Sequence, residues 1–212
     1  MITTQENNFM NPLKSVRATI TLGFVLAVIL AFYINNDGAV LETMNERWSL
    51  VVWLHVFFGI IWIGLLYYFN FVQVPAVGEA LADEGGPGPA AINKYVAPRA
   101  LWWFRWGALL TWITGAIALH YYLPISLHDA FMLNGGVMGV TIGVGAWLGT
   151  IMLFNVWVLI WPNQKKILGI IKASADEIAR AKNTALMASR TNTLLSIPML
   201  MCMVGYGHGL PI

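Results

Sequence analysis

Five predominantly apolar stretches, each close to twenty residues long, limit what this chain can fold into. They are residues 18–35, 49–72, 101–122, 136–161 and 191–208. A helix of about 20 apolar residues crosses the roughly 30 Å hydrocarbon core of a bilayer. Only 10% of the residues are charged, against about a quarter in soluble domains, so the chain lacks the charge to cover a soluble surface. The sequence predicts an all-α integral membrane protein, one domain over residues 1–212.

The distribution of basic residues predicts how these helices are oriented. Eleven of the twelve Lys and Arg residues lie on one side of the five predicted spans, and only Arg47 lies on the other. The positive-inside rule places the basic side in the cytoplasm. We therefore expect a multi-pass protein of the bacterial inner membrane, with a cytoplasmic N-terminus and a periplasmic C-terminus.

Two segments on the cytoplasmic side are not predicted to span the membrane. Residues 79–98 contain the turn-forming run Gly-Gly-Pro-Gly-Pro at positions 85–89, which predicts a loop. Residues 164–189 mix isoleucine and leucine with charged side chains, which is typical of an amphipathic helix on a membrane surface. The predicted fold is thus a five-transmembrane-helix bundle with one cytoplasmic amphipathic helix.

The single cysteine, Cys202, excludes several kinds of site within this sequence. A disulfide framework, a cysteine-rich zinc site, an iron–sulfur cluster and the CxxCH attachment of a c-type haem all need at least two cysteines. The formal net charge of +2 is too small to favour a nucleic-acid partner. Walker, GxGxxG, HExxH and Ser-His-Asp patterns are lacking, so nucleotide-binding and hydrolase functions have no support.

All four histidines lie on or near the outer side of the predicted topology. His55 lies six residues inside the second span, while His120 and His208 lie near the outer ends of the third and fifth. Imidazole is a good haem ligand, and an ionisable residue inside a span is a candidate functional group. We predict haem b near the outer face, with His55 as one axial ligand and either His120 or His208 as the other. His128, in the outer loop, is better explained by interfacial hydrogen bonds.

Four polar residues fall in the cytoplasmic half of the predicted bundle, namely Asn70, Gln73, Arg105 and Asn155. One interpretation is a pocket that binds an anion or a quinone headgroup. The other is that these side chains cap and bridge helices at the interface, as polar side chains between membrane helices commonly do. The sequence favours the second interpretation and leaves the first open.

Glycines recur at a spacing of four in the fourth predicted span. The series is Gly135, Gly139 and Gly143, and Gly145 and Gly149 repeat the spacing. Small residues at this interval let a neighbouring helix, or a flat macrocycle, approach the backbone closely. Helix packing is the favoured interpretation.

Four stretches, in order along the chain, resemble the N-terminal membrane domain of the bacterial membrane urate oxidases (urate hydroxylases). They are HVFFGIIWIGLLYYFNFVQ from His55, RWGALLTWITG from Arg105, FNVWVLIWPNQKK from Phe154 and SRTNTLLSIPML from Ser189. The chain also resembles, more weakly, the small haem-binding protoporphyrinogen oxidases. This resemblance rests on His55, which leads into an apolar helix with Trp62 and Gly64.

The resemblance to the urate oxidases implies a function in electron transfer. In that family a C-terminal cytochrome c follows the membrane domain, whereas this sequence stops at Ile212 without a CxxCH. The expected partner is therefore a separate cytochrome c, with urate as the implied electron donor. The alternative is that the chain is a non-catalytic accessory subunit of a larger membrane electron-transfer complex. In either case the protein is expected to form a homo- or hetero-oligomer.

Overall fold

A computed structural model describes residues 12–35, 46–121 and 123–210, and these ranges contain helices and turns but no strand. The all-α class is therefore confirmed. The α-helices are α1 Val16–Asn35, α2 Glu46–Tyr68, α3 Val74–Ala82, α4 Ala97–Tyr121, α5 Leu127–Phe131, α6 Gly136–Phe154, α7 Trp161–Ile167 and α8 Ala175–His208. The π-helical segments are π1 Phe69–Gln73, π2 Ile92–Val96 and π3 Asn155–Ile160.

The chain divides into two compact units, Met1–Glu46 and Arg47–Ile212. In the first unit, a short 3₁₀ turn over Pro12–Lys14 precedes α1. The hydroxyl of Thr19 donates to the carbonyl oxygen of Pro12 at 3.0 Å, which ties this turn to the start of α1. All the site residues discussed below belong to the second unit.

A helix forms at each of the five predicted spans. Two continuous helices, Ser49–Ala82 and Gly136–Ile167, are long and apolar enough to cross a membrane, and Val16–Ala31 is a shorter apolar helix. Residue 122, where the third predicted span ends, and residues 36–45, most of the first predicted outer loop, lie outside the described residues. Insertion of all five helices in a bilayer stays a prediction.

Small residues bring α2 and α4 together. A Cβ on Gly107 would lie 3.1 Å from Cγ2 of Ile61 and 3.4 Å from the backbone nitrogen of Trp62. A Cβ on Gly59 would lie 3.8 Å from Cγ2 of Thr111. The contacting residue numbers increase along α2 while they decrease along α4, so the two helices are antiparallel. Glycine and threonine at such positions let two helix backbones approach closely.

The helix formed by α6, π3 and α7 packs antiparallel to α4. The indole nitrogen of Trp112 donates to the hydroxyl of Thr150 at 2.9 Å, and the Trp106 and Trp157 rings meet edge to face with centroids 5.5 Å apart. α8 runs antiparallel to both α2 and α6 through hydrogen bonds described below. The four long helices of the second unit therefore form an up-down-up-down arrangement.

The core of the second unit lies where these four helices meet. Its most deeply buried apolar side chains include Leu66, Phe104, Met152 and Val156, each at most 1% exposed. The bundle has two distinct ends. We call the end where α2 begins and α4 and α8 finish the histidine end, since it carries His55, His120 and His208. We call the opposite end, which carries Arg105 and Trp161, the arginine end.

Each π segment is followed by a proline two residues later, at Pro75, Pro98 and Pro162. Proline lacks the backbone N–H, and its ring clashes with the carbonyl four residues earlier, which breaks an ordinary α-helix. Here that carbonyl belongs in every case to the π segment, whose wider turn accommodates the ring. The helices therefore continue through these prolines.

The predicted loop over residues 79–98 is wrong at both of its ends. α3 continues to Ala82 and helical structure resumes at residue 90, so the connection is limited to residues 83–89. Gly85 and Gly88 adopt φ values of 93° and 65°, which glycine tolerates at little cost. The Gly-Pro run sets the turn, and the segment after it remains helical because π2 accommodates Pro98.

The predicted amphipathic helix over residues 164–189 is also wrong as a single element. α7 ends at Ile167, and Gly169 then turns the chain with a φ of 70°. α8 begins at Ala175 and continues without a break through the fifth predicted span to His208. The charged segment is therefore divided between the end of one long helix and the start of another.

A capping box fixes the start of α8. The Ser174 hydroxyl accepts a hydrogen bond from the Glu177 N–H at 3.3 Å, and the Glu177 carboxylate accepts one from the Ser174 N–H at 2.8 Å. These hydrogen bonds from Ser174, together with the charge of Lys166, hold the pKa of Glu177 below its usual value. The carboxylate is therefore ionised at neutral pH and satisfies an otherwise free donor at the helix start.

Replacing Ser174 with alanine is expected to destabilise the protein by about 1 kcal/mol, because the first turn of α8 loses its cap. Ser174→Asp is the matched control, since aspartate also caps helices, and it should retain most of the stability. Thermal unfolding of the full chain in detergent, followed by circular dichroism, measures both variants. Equal melting of Ser174→Ala and the parent protein would contradict a stabilising role for this cap.

Candidate functional site

His55 is held against α4 near the histidine end of the bundle. Its Nδ1 lies 2.8 Å from the backbone carbonyl oxygen of Thr111 and 3.4 Å from the hydroxyl of Thr114. The Thr114 hydroxyl itself donates to the carbonyl of Leu110 at 2.7 Å. Because a carbonyl can only accept, Nδ1 of His55 is the protonated nitrogen. Nε2 is therefore left with a free lone pair.

A glycine on α4 makes room for the His55 ring. A Cβ on Gly115 would lie 2.8 Å from Cε1 and 3.1 Å from Nδ1 of His55. Any larger residue at this position would push the imidazole away from the Thr111 carbonyl. Metal-binding histidines usually donate the second ring nitrogen to a carbonyl or carboxylate, which fixes the tautomer and orients the ring. His55 is arranged in this way.

The other predicted haem ligands are exposed side chains at the same end of the bundle. His120 lies nine residues after Thr111, which places it about half a turn around α4 from the face that meets His55. Its ring packs edge to face on Tyr121, with centroids 4.4 Å apart. His208 ends α8 and is exposed. The second axial ligand stays a prediction, open between these two residues.

No group of three or more His, Cys, Asp or Glu side chains converges on a metal site within the described ranges. His128, on α5, is 75% exposed, and its Nδ1 lies 3.8 Å from Oδ1 of Asp129. A cleft of about 420 Å³ lies nearby between the start of α6 and the end of α8. Gly207, which precedes His208, is among the residues that line it.

Polar side chains of α8 face the interior of the bundle. Ser189, Asn192 and Ser196 follow one another at intervals of three and four, so they lie on one face of the helix. Asn192 and Ser196 are fully buried. The Ser196 hydroxyl donates to the Thr193 carbonyl at 2.7 Å, so the Tyr67 hydroxyl, 2.9 Å away, is the donor to Ser196. We call Ser189, Asn192 and Ser196 the polar stripe.

Two asparagines in π segments hydrogen-bond to the polar stripe. Asn70, in π1, donates to the Ser189 hydroxyl at 2.8 Å. Asn155, in π3, donates to Oδ1 of Asn192 at 2.8 Å, and Nδ2 of Asn192 donates to the Met152 carbonyl at 3.0 Å. These bonds tie α2 and α6 to α8 at the level where both helices widen.

The other two residues of the predicted polar pocket have different surroundings. Oε1 of Gln73 is buried without a hydrogen-bond partner in the part of the chain that the structure describes. Arg105 stacks its guanidinium on the Trp161 ring, 3.9 Å from the centroid. A single pocket shared by all four polar residues stays a prediction, whereas bridging between helices is the observed role of Asn70 and Asn155.

The glycines of α6 contact parts of this chain. A Cβ on Gly139 would overlap the carbonyl oxygen of Asn134, and one on Gly143 would overlap that of Ala130. A Cβ on Gly145 would lie 3.1 Å from Cβ of Cys202. The space beside Gly139 and Gly143 is thus filled by backbone, as the packing interpretation expects, and a flat macrocycle has no room there.

Several residues of these sites were not predicted from the sequence. Gly107, Thr111 and Gly115 show the small-residue spacing of four that was noted only in the fourth span. The polar stripe has helical spacing inside an otherwise apolar segment, which was a second usable signal. The Thr111 carbonyl is a backbone atom and has no signature in the sequence.

Replacing Asn192 with leucine is expected to cost about 2 kcal/mol, because the Asn155 amide and the Met152 carbonyl lose buried partners. Asn163→Leu is the control, since Asn163 is half-buried and donates only to the Leu159 carbonyl four residues earlier. Adding Asn155→Leu to Asn192→Leu should recover part of the loss, because the Asn155 amide, one of the two groups left unpaired, is then removed as well. Equilibrium unfolding in detergent tests this, and equal stabilities for Asn192→Leu and Asn163→Leu would contradict it.

Comparison with known proteins gives one family match. Residues 136–210, which contain α6, π3, α7 and α8, match the family described as "Urate oxidase N-terminal". The matched range is about a third of the chain. Two of the four stretches noted in the sequence, those from Phe154 and Ser189, lie inside the matched range, and those from His55 and Arg105 lie before it. No curated protein and no solved structure matches the chain.

Proposed function

We propose that this chain, whose residues 136–210 match the urate oxidase N-terminal family, is a redox protein of the bacterial inner membrane. Support for insertion comes from the two helices that are long and apolar enough to span, and from the one-sided distribution of basic residues. The alternating directions of α2, α4, α6 and α8 agree with the proposed five spans. The N-terminus is then cytoplasmic.

The observation that carries the redox proposal is the hydrogen bond from Nδ1 of His55 to the Thr111 carbonyl. It fixes the tautomer that leaves Nε2 available as a ligand, in a half-buried position beside Gly115. These features fit one axial ligand of haem b, with His120 or His208 as the proposed second ligand. When bound, the haem would supply one-electron transfer.

The location of the histidines favours an electron acceptor at the histidine end. Under the proposed topology this end faces the periplasm, where cytochromes c are found. The proposed acceptor is a cytochrome c that lies outside residues 1–212, because the single cysteine in this range cannot form the CxxCH attachment of a c-type haem. Urate is the proposed donor on the strength of the family match, and its oxidation would deliver electrons to that cytochrome.

Absorption spectra of the purified full chain, oxidised and dithionite-reduced, test the haem. We expect the bands of a six-coordinate b-type haem in the difference spectrum. Membranes containing the protein should then reduce added cytochrome c only when urate is present. Haem-free protein would overturn the haem proposal, and urate turnover at full rate with oxygen alone would overturn the cytochrome c step.

An accessory subunit of a larger electron-transfer complex is the second candidate function. It is favoured by the position of His120 on a different face of α4 from His55, because a ligand for the opposite side of the haem is then not provided by α4. Haem-free protein that still associates with a redox partner supports this function. Bound haem together with urate-dependent turnover supports the enzyme.

A further inference from the structure

Two cationic side chains converge on one indole at the arginine end of the bundle. The Arg105 guanidinium, from α4, lies 3.9 Å from the centroid of the Trp161 ring, and Nζ of Lys165 lies 5.9 Å from the same centroid. Trp161 and Lys165 are four residues apart on α7, so their side chains are neighbours. The three residues bring two positive charges to a single half-buried position.

Among the residues that the structure describes, these two charges have no counter-charge. In the described ranges the ion pairs join His128 to Asp129 and Lys166 to Glu177, and neither involves Arg105 or Lys165. Arg105 also has no hydrogen-bond acceptor among the described protein groups, although a guanidinium carries five N–H donors. The N–H donors of this half-buried arginine are therefore available to an anion from outside the chain.

An apolar groove begins one helical turn away from these cations. It lies between α4 and the helix of α6 and π3, has a volume of about 520 Å³, and is lined by Leu109, Trp112, Thr150, Leu153, Phe154 and Trp157. Leu109 lies four residues after Arg105, and Trp157 lies four residues before Trp161. The groove therefore continues from the cationic position along the bundle, toward the histidine end.

We infer that Arg105, Trp161 and Lys165 bind the phosphate of an anionic phospholipid, with one of its acyl chains in the adjacent groove. The inference rests on the proposed membrane insertion, which would place this end at the cytoplasmic interface. Basic pockets between membrane helices on that side are suited to anionic headgroups. A guanidinium donates in a fork geometry that fits phosphate oxygens, and the adjacent apolar groove suits an acyl chain.

The charges distinguish this ligand from other occupants of the groove. A quinone would fill the apolar part but would leave the two positive charges uncompensated. A zwitterionic lipid would bring its own positive charge next to those of Arg105 and Lys165. Inorganic phosphate would neutralise the charges but would gain nothing from the groove. A lipid with a net negative phosphate headgroup and an acyl chain satisfies the two features together.

Native mass spectrometry of the full chain tests the site. Protein in detergent is titrated with phosphatidylglycerol, with phosphatidylcholine of the same acyl chains, and with inorganic phosphate. We expect one phosphatidylglycerol molecule to bind preferentially. Arg105→Gln or Lys165→Gln should each weaken its binding about fivefold. Lys166→Gln is the matched control, since Lys166 is adjacent and already lies 3.9 Å from Glu177, and it should change binding less than twofold.

A second variant tests the groove without altering charge. Leu109→Trp should fill part of the groove and weaken phosphatidylglycerol binding, while leaving the salt dependence of the remaining binding unchanged. Equal affinity for the two lipids, binding of inorganic phosphate alone, or a co-purified quinone in place of lipid would overturn the inference. Alkaline extraction of membranes tests insertion separately, and the haem spectrum of Arg105→Gln tests the redox proposal separately.

Discussion

His55→Ala is expected to abolish the reduced-minus-oxidised haem spectrum of the purified protein. The variant removes the one imidazole whose tautomer is fixed by a backbone carbonyl, that of Thr111. A haem held on one remaining ligand would be lost during purification. The fold should survive, because His55 is only half-buried.

Two further variants separate ligation by His55 from a general effect of substitution. Gly115→Ala keeps the imidazole but places a Cβ 2.8 Å from its Cε1, so the ring must move and haem occupancy should fall. Gly64→Ala, on α2, is the control, since a Cβ there meets nothing within 4 Å. His128→Ala should leave the spectrum unchanged. A stoichiometric, unaltered haem spectrum in His55→Ala would refute ligation by His55.

Much of the fold could be predicted from the lengths of the apolar stretches. Each predicted span contains a helix, because a run of about twenty apolar residues without punctuation has few other ways to satisfy its backbone. The ends of the helices were less predictable. α8 begins sixteen residues before the predicted span at Thr191, since charged residues continue a helix as readily as apolar ones do. The Ser174 and Glu177 pair was the available signal for that start.

The π segments explain the other errors in the fold prediction. The predicted loop rested on the Gly-Pro run at positions 85–89 and extended to Pro98. In this protein the widened turn of π2 accommodates its ring, and the helix continues. Whether a helix breaks or widens at a proline depends on the packing of the surrounding turns, which one sequence does not reveal.

The candidate sites were predictable in their residue types and less so in their partners. His55 was identified because an ionisable side chain within a span is unusual. Its acceptor is a backbone atom, and its space is provided by Gly115, so both depend on how α2 and α4 pair. Arg105 was noted as a polar residue, but its contact with Trp161 joins positions 56 residues apart, which no local spacing indicates.

Gly143→Ala is expected to produce the largest loss of stability of the substitutions considered. A Cβ at this position would overlap the carbonyl oxygen of Ala130 and would lie 2.9 Å from Cδ2 of Leu133. Leu133 already adopts a φ of 57°, so the loop beside it has little freedom to move. We expect a loss of about 3 kcal/mol, the upper part of the range for overpacked cores.

Gly149→Ala, six residues further along α6, provides a control with an effect of opposite sign. Gly149 is buried, yet a Cβ there meets nothing within 4 Å. Alanine is a better helix former than glycine by about 1 kcal/mol, so this variant should match or exceed the stability of the parent protein. Unfolding in detergent by increasing denaturant measures both variants. Equal changes in stability for Gly143→Ala and Gly149→Ala would contradict this prediction. The contact between α6 and the Ala130 carbonyl would then not restrict the residue at position 143, and helix propensity alone would determine the stability of both variants.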